Sequence, residues 1–314
     1  MKKIVIIIAA LSSLACLAQQ DPQFSQYQFN QMVINPAYAG SRDALSVVLD
    51  VRQQWGGFSG APRTQAFSLH GPLKKKRIGL GVSGYADQIG PKSNVGVYGS
   101  FAYILPINNN LKLSFGLRAG VVSYKFDWSQ LTYQNGSEQI DANTAQSQHT
   151  RPDIDAGLYL KSNTFYCGLS ATHINGSKIY NNEPLPVGNI KGSTVNFNYS
   201  LIPHLFFIIS KGFKAGENIV INPTIMIKNT SGITSGDLNL NFLIKKRLWL
   251  GAFIRNGNTI GALAQFQITE KLRIGYAFDR SVNQTQNRLG NGHEIMIGFD
   301  FNTFKSPMLS PRYL

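Results

Sequence analysis

Leu111-Lys112-Leu113-Ser114-Phe115-Gly116-Leu117-Arg118-Ala119-Gly120-Val121 decides the fold. Successive side chains of an extended chain point to opposite faces. The odd positions therefore form one apolar face, and Lys112, Ser114, Gly116, Arg118 and Gly120 form a polar or small one. One face suits lipid and the other suits water. The same dyad sets Leu238, Leu240, Phe242 and Ile244 against Asn239 and Asn241, and Leu272, Ile274, Tyr276 and Phe278 against Arg273, Gly275 and Asp279. Alternation alone also fits a soluble sandwich, whose strands run to about 5–6 residues. These segments reach the ~9–11 residues that a membrane-crossing strand needs.

Reading outward from this stretch predicts strands near 43–53, 62–72, 77–87, 93–106, 111–125, 152–161, 164–174, 195–210, 217–229, 236–246, 247–256, 258–269, 271–281 and 293–303. The expected fold is all-β, a transmembrane antiparallel outer-membrane β-barrel of about 14 strands with both termini periplasmic. Short connections then alternate with longer ones at 54–61, 126–151, 175–194, 230–235 and 282–292, with Asn256-Gly257 as a tight hairpin. Short periplasmic turns and longer outer loops are the known asymmetry of such barrels.

The leader agrees with export. Met1-Lys2-Lys3 is a positive start, Ile4 to Leu11 an apolar centre, and Ser12 to Ala18 a small-residue cleavage region. Cleavage after Ala18 competes with lipidation of Cys16, for which Ser13 occupies the position that prefers leucine. The expected organisation is a signal peptide at 1–18, an ordered periplasmic or lumen segment at 19–42, a barrel at 43–303 and a tail at 304–314. Past the leader only Cys167 remains, so no internal disulfide forms.

The formal charge of +14 fits an anionic membrane surface or an acidic protein, and export argues against nucleic acid. Strand parity gathers Lys74, Lys75, Lys76, Arg77, Lys245, Lys246 and Arg247 on the periplasmic rim, as a docking surface for a periplasmic partner. The plainer reading is that such lysines keep turns soluble and discourage edge pairing.

Catalytic signals are weak. Gly79-Leu80-Gly81-Val82-Ser83-Gly84 spells a dinucleotide-binding pattern, but its neighbours alternate as a strand and no helix follows. Inward glycines in a barrel make room for bulky neighbours or a plug. His70, His149, His173, His204 and His293 show neither a zinc spacing nor a nucleophile elbow. The expectation is no enzyme, no cofactor and no metal.

Two stretches are more particular. Gln26-Tyr27-Gln28-Phe29-Asn30 precedes Asn35-Pro36-Ala37-Tyr38-Ala39-Gly40, where Pro36 fixes the backbone and Gly40 permits a positive φ. Its aromatics suit the lower lumen of a barrel. Arg52-Gln53-Gln54-Trp55-Gly56-Gly57-Phe58 continues to Gly60-Ala61-Pro62-Arg63-Thr64, with Trp55 and Phe58 suited to an interfacial girdle or a partner contact.

In order, QDPQFSQYQFN, INPAYAGS and RQQWGGFSGAP resemble the PorP/SprF family of the type IX secretion system of Bacteroidetes, and Ser310-Pro311-Arg312-Tyr313-Leu314 is similar to that family's ending. The resemblance rests on Asn35, Pro36, Ala37, Tyr38, Gly40, Arg52, Gln54, Trp55, Gly60, Ala61, Pro62 and Thr64. It implies an integral outer-membrane protein, exported through a cleaved signal peptide, that supports secretion or surface anchoring of adhesin-like proteins in gliding or attachment. The implied partners are type IX secretion components in the periplasm and outer membrane, the C-terminal region of a secreted surface protein, and outer-membrane lipid. It implies no catalytic residues. Cargo contact is expected at the base of the first long outer loop, at Tyr124, Phe126, Trp128 and Tyr133. A porin or solute channel stays open as an alternative, and an outer-membrane lipid hydrolase as a remote one.

Overall fold

The computed structural model describes residues 22–57, 59–73, 77–127, 130, 146–186, 194–283 and 290–301. From Leu45 to Phe301 the described residues form these strands: β1 (Leu45–Gln53), β2 (Arg63–Pro72), β3 (Ile78–Ile89), β4 (Lys92–Pro106), β5 (Lys112–Asp127), β6 (Gln146–Lys161), β7 (Phe165–Thr172), β8 (Lys178–Pro186), β9 (Thr194–Ser200), β10 (His204–Lys211), β11 (Phe213–Ala215), β12 (Ile219–Thr230), β13 (Ile233–Ile244), β14 (Leu248–Arg255), β15 (Thr259–Gln267), β16 (Leu272–Ser281) and β17 (Gly292–Phe301). Each strand pairs antiparallel with its neighbour, and β1 closes on β17 in register from Leu45↔Phe301 to Gln53↔His293. The chain skips the β8–β9 hairpin, so β10 pairs with β7 on one side and β12 on the other.

Strands β10 and β11 lie end to end along β12, His204 opposite Thr230 and Ala215 opposite Ile219, and together make one interrupted strand. The result is a closed barrel of 14 strands. Pro223, beside the interruption, has no N–H to give the ladder.

Alternation sets the two faces as expected. Leu117 is 60% exposed on the outer face, whereas Ser114 and Arg118 of the same strand are buried inside. Asn239, Asn241, Arg273 and Asp279 also point into the lumen, while Leu238, Leu240, Ile274 and Tyr276 point out. Tyr103, Phe115, Phe213, Phe266 and Phe301 are exposed near one end of their strands, an aromatic girdle of the kind that marks a membrane interface.

The loop reading needs three corrections. The strand expected at 195–210 is two, β9 in a separate hairpin and β10 in the wall, because β9 pairs with β8. The supposed loop at 175–194 accordingly contains β8, and the loop at 126–151 is shortened by β5 reaching Asp127 and β6 starting at Gln146. The connection at 230–235 is a tight turn at Ser231 and Gly232, with φ of 50° and 85°. That pair of positive φ values matches the twist of a two-residue hairpin, as does Asn256-Gly257 at 51° and 66°. One end of the barrel thus has only short turns, and the other carries the connections at 54–62, 128–145, 173–203 and 282–291.

Candidate functional site: a plugged lumen

Residues 22–44 run through the barrel as irregular chain with three single-turn 3₁₀ helices, Tyr27–Phe29, Gln31–Val33 and Pro36–Tyr38. Met32, Ala37 and Ala39 are fully buried, and Tyr27 and Tyr38 nearly so. The helices are local solutions to local sequence. Pro36 starts the third at a position where a missing N–H costs nothing, and Asn35 Oδ1 accepts from the Ala37 N–H at 2.9 Å.

Polar side chains of the wall hold this segment along its length. At the long-loop end, Arg52 Nη1 donates to Ser25 Oγ at 2.6 Å and Glu294 Oε2 at 2.9 Å, and Nη2 to Asp279 Oδ2 at 2.6 Å. Glu294 also accepts the backbone N–H groups of Ser25 and Gln26, at 2.6 and 2.8 Å. Arg255 Nη2 donates to the Phe24 carbonyl at 3.1 Å. Deeper in, Asn30 donates to Asp50 and accepts from Ser68, both at 2.7 Å. Asn239 Nδ2 donates to the Tyr27 hydroxyl at 2.7 Å, Asn241 Nδ2 to Gln28 Oε1 at 2.9 Å, and Arg118 Nη1 to the Met32 carbonyl at 3.0 Å. Ser170 Oγ reaches the Ile34 carbonyl at 2.6 Å, and Asn35 Nδ2 reaches the Leu158 carbonyl at 3.0 Å. At the short-turn end the Gly40 N–H donates to His70 Nδ1 at 3.2 Å and Arg42 pairs with Asp300 at 3.1 Å.

Shape matches this chemistry. A Cβ on Gly116 would collide with the backbone of Ala37, and one on Gly79 with the Ala39 carbonyl. Gly79 and Gly81, two glycines of the dinucleotide-like pattern, are therefore seats for the plug. Gly40, at φ 73°, meets Gly79 backbone to backbone. Phe29 meets Trp249 edge to face at 5.6 Å, and Tyr38 meets Tyr159 at 5.4 Å.

The expected residues fall into separate places. Asn35, Pro36, Ala37, Tyr38 and Gly40 form the lower plug, and Arg52 is its upper anchor. The Gln54 N–H donates to the Pro62 carbonyl across the first long loop, which holds Trp55 at φ 51°, Gly60 at φ 79° and Ala61. Thr64 faces inward and donates to Asp87 at 2.5 Å. Arg77, Lys245, Lys246 and Arg247 are exposed at the short-turn end, where Lys112, Lys211, Lys214 and Lys271 are exposed too. Lys74, Lys75 and Lys76 lie outside the described residues.

The cargo residues fare differently. Tyr124 is 4% exposed and packs with Tyr98, Val122, Ile179 and Leu201, out of reach of an external protein. Phe126 is half-buried, and Trp128 and Tyr133 lie outside the described residues. Glu294, Asp279, Asp50, Arg118, Arg255 and the asparagines of β13 were missed as site residues. Their signal was present: each is a polar residue on the inward parity of an otherwise apolar strand.

Asp153, Asp155 and His173 are close enough to hold an ion. Most of their ligand atoms are already engaged, Asp153 Oδ1 excepted: Arg118 Nε pairs with Asp155 Oδ2, the His173 backbone N–H donates to Asp155 Oδ1 at 2.8 Å, and Asp153 Oδ2 takes His173 Nδ1 at 2.7 Å and the Tyr98 hydroxyl at 2.8 Å. The group is a buried ion-pair network that ties β6 to β4, β5 and the start of the 173–203 connection.

A sequence-family model described as "Type IX secretion system membrane protein PorP/SprF" matches residues 16–299. No curated protein matches the chain. Among solved structures, the Ralstonia pickettii toluene transporter TbuX superposes with a TM-score of 0.53 at 11% identity, over 86% of this chain and 93% of that one. A TodX deletion mutant described as a monoaromatic hydrocarbon channel gives 0.50 at 11%, over 87% and 94%. A Pseudomonas aeruginosa FadL homologue gives 0.47 at 12%, over 90% and 95%. Identity this low speaks to the barrel alone.

Proposed function

This chain belongs to the PorP/SprF family of type IX secretion system membrane proteins, and from that premise we propose that it acts by binding, as an integral outer-membrane component that supports secretion or surface anchoring of adhesin-like proteins. In this reading the leader is cleaved, the short-turn end faces the periplasm and docks other secretion components, and the long outer loops hold the C-terminal region of one secreted surface protein. Catalysis plays no part in it.

The observation that carries the reading is the filled lumen: a 23-residue stretch, 22–44, anchored to the wall from end to end, leaves binding surfaces at the rims as the working parts. The basic short-turn rim favours an acidic partner, because exposed charge steers and orients association. A solute channel is the second reading. The polar inner wall favours it, and the plug opposes it.

Replacing Lys74, Lys75, Lys76, Arg77, Lys245, Lys246 and Arg247 by glutamine tests the dock. The expected result is loss of co-purifying periplasmic components with heat-modifiable gel migration of the barrel intact, and in the parent protein a fall in co-purification between low and high salt. Unchanged co-purification at both salts contradicts an electrostatic dock. Removal of 131–145 tests the loop end: cargo display is expected to be lost while the barrel still forms, and normal display takes that loop out of the site.

A further inference from the structure

Where the outer wall reaches the long-loop rim, one sector is basic. Arg63 of β2, Gln53 of β1 and His293 of β17 stand directly opposite one another in the strand register. All three take the outward parity, and Arg63 and His293 are exposed. One pair nearer the middle of the wall, the outward residues of β1, β17 and β16 are the exposed Val51, Ile295 and Tyr276. From Phe301, in the girdle of the other end, β17 covers about 26 Å to His293, or roughly 20 Å along the membrane normal at the usual strand tilt. His293 and Arg63 therefore sit at the edge of a ~25 Å apolar band, level with lipid headgroups.

Charge at this level is one-sided. Residues 51–73 and 280–293 contain no acidic residue, and the carboxylates of β1, β16 and β17 (Asp50, Asp279, Glu294 and Asp300) are buried on the lumen side. The Arg63 side chain makes no hydrogen bond or ion pair among the described residues. His293 is held in place: its Nδ1 lies 2.7 Å from the Tyr276 hydroxyl, and its ring meets Phe278 edge to face at 5.4 Å. The phenol, set among apolar neighbours, donates to Nδ1, which leaves the ring N–H at Nε2, on the side away from Tyr276. Gln53, between the two, turns its amide to the Gln54 carbonyl at 3.4 Å.

A guanidinium and a fixed imidazole N–H on backbones about 10 Å apart, two strand spacings, can converge on one phosphate group. Arginine's fork engages two of its oxygens and the imidazole a third. Acyl chains carried by that phosphate then run over Val51, Ile295 and Phe67. We infer that this row binds the phosphate of an anionic membrane-lipid headgroup, with Arg63 and His293 Nε2 as its ligands and Tyr276 as the residue that positions the imidazole. The inference rests on the wall crossing a membrane and not on the secretion reading, so either can fail while the other stands.

Native mass spectrometry of the full chain in detergent tests it, by titration with dioleoylphosphatidylglycerol or dioleoylphosphatidylcholine. Saturable and preferential retention of the anionic lipid is expected. Arg63→Gln and His293→Gln should each weaken it about fivefold. Arg63→Lys, which keeps the charge and loses the fork, should weaken it less. Gln53→Glu, which sets a carboxylate between two intact ligands, should weaken it as much as losing one of them. Lys112→Gln, at the opposite rim, should leave it unchanged. Tyr276→Phe should weaken retention in the parent and change nothing in the His293→Gln background, a dependence that general damage to the wall does not produce. Each variant should keep heat-modifiable migration, because every change lies on the exposed face. Equal retention of the two lipids, displacement by an equal concentration of inorganic phosphate, or a loss shared by Lys112→Gln overturns the inference.

Discussion

Replacing Arg52 by methionine is expected to destabilise the barrel by about 3–5 kcal/mol, because it removes one partner of a buried ion-pair group and strands the others. The Arg52 and Glu294 side chains are fully buried, and Asp279 is nearly so. Methionine fills the stem's volume but leaves Glu294 with only the two plug N–H groups and Asp279 with only the Ser25 hydroxyl. The measurement is the temperature at which the folded gel band converts to the unfolded one. Glu294→Gln in the Arg52→Met background should recover part of the loss, since a neutral amide needs no counter-charge. The double-mutant cycle then shows a coupling beyond the ~0.3–0.5 kcal/mol scatter of independent sites. Additive losses would mean that the pair does not act as a unit. The upper plug should loosen with the charge, so proteolysis near Ser25 is a second readout that ordinary wall damage does not move.

Deleting 22–40 carries the other large effect. The segment shields a wall that is otherwise suited to water: Asn222, Thr224, Asn239, Asn241 and Gln265 all face inward and are buried. A wall with this polarity wets when uncovered, and a barrel of this size then encloses an aqueous path. In planar bilayers the deletion variant is expected to show conductance steps where the full chain shows none. Gly116→Val is the milder test, because its side chain meets the Ala37 backbone and forces the lower plug to shift while every strand keeps its residues. Steady conductance by the full chain would show that the plug does not seal the lumen and would turn the functional reading toward a channel.

The barrel was legible in the sequence because its causes are local. Each dyad, such as Leu113 to Val121, carries its own evidence, and Asn256-Gly257 marks a hairpin, whereas the equally tight turn at Ser231-Gly232 reads as a longer loop. The strand count came out right although one expected strand, 195–210, proved to be a hairpin arm followed by a wall strand. Periodicity does not say which partner an extended segment takes. The plug's place inside was suggested by its aromatics and by the inward glycines. Its anchors were not, because Ser25 meets Glu294 across 269 positions and Arg52 meets it across 242. Contacts that distant leave no trace in a single sequence beyond a polar residue on the inward parity. Tyr124 shows what that parity was worth: it shares a face with Arg118 and Val122, both buried, and this parity outweighed its nearness to the loop. The lysines of the 245–246 turn sit at φ of 47° and 57°, a backbone that glycine or asparagine adopts at less cost. Charge at that turn is held at some expense in stability, which accords with a use for the basic rim.

The most direct test of a binding role in secretion is deletion of the gene, followed by quantitative comparison of surface and culture-medium proteins with the parent strain. Loss of one or a few large surface proteins, restored by the intact gene and not by the rim-neutralised variant, is the predicted result. An unchanged set of exported proteins, with solute uptake altered in their place, would contradict it.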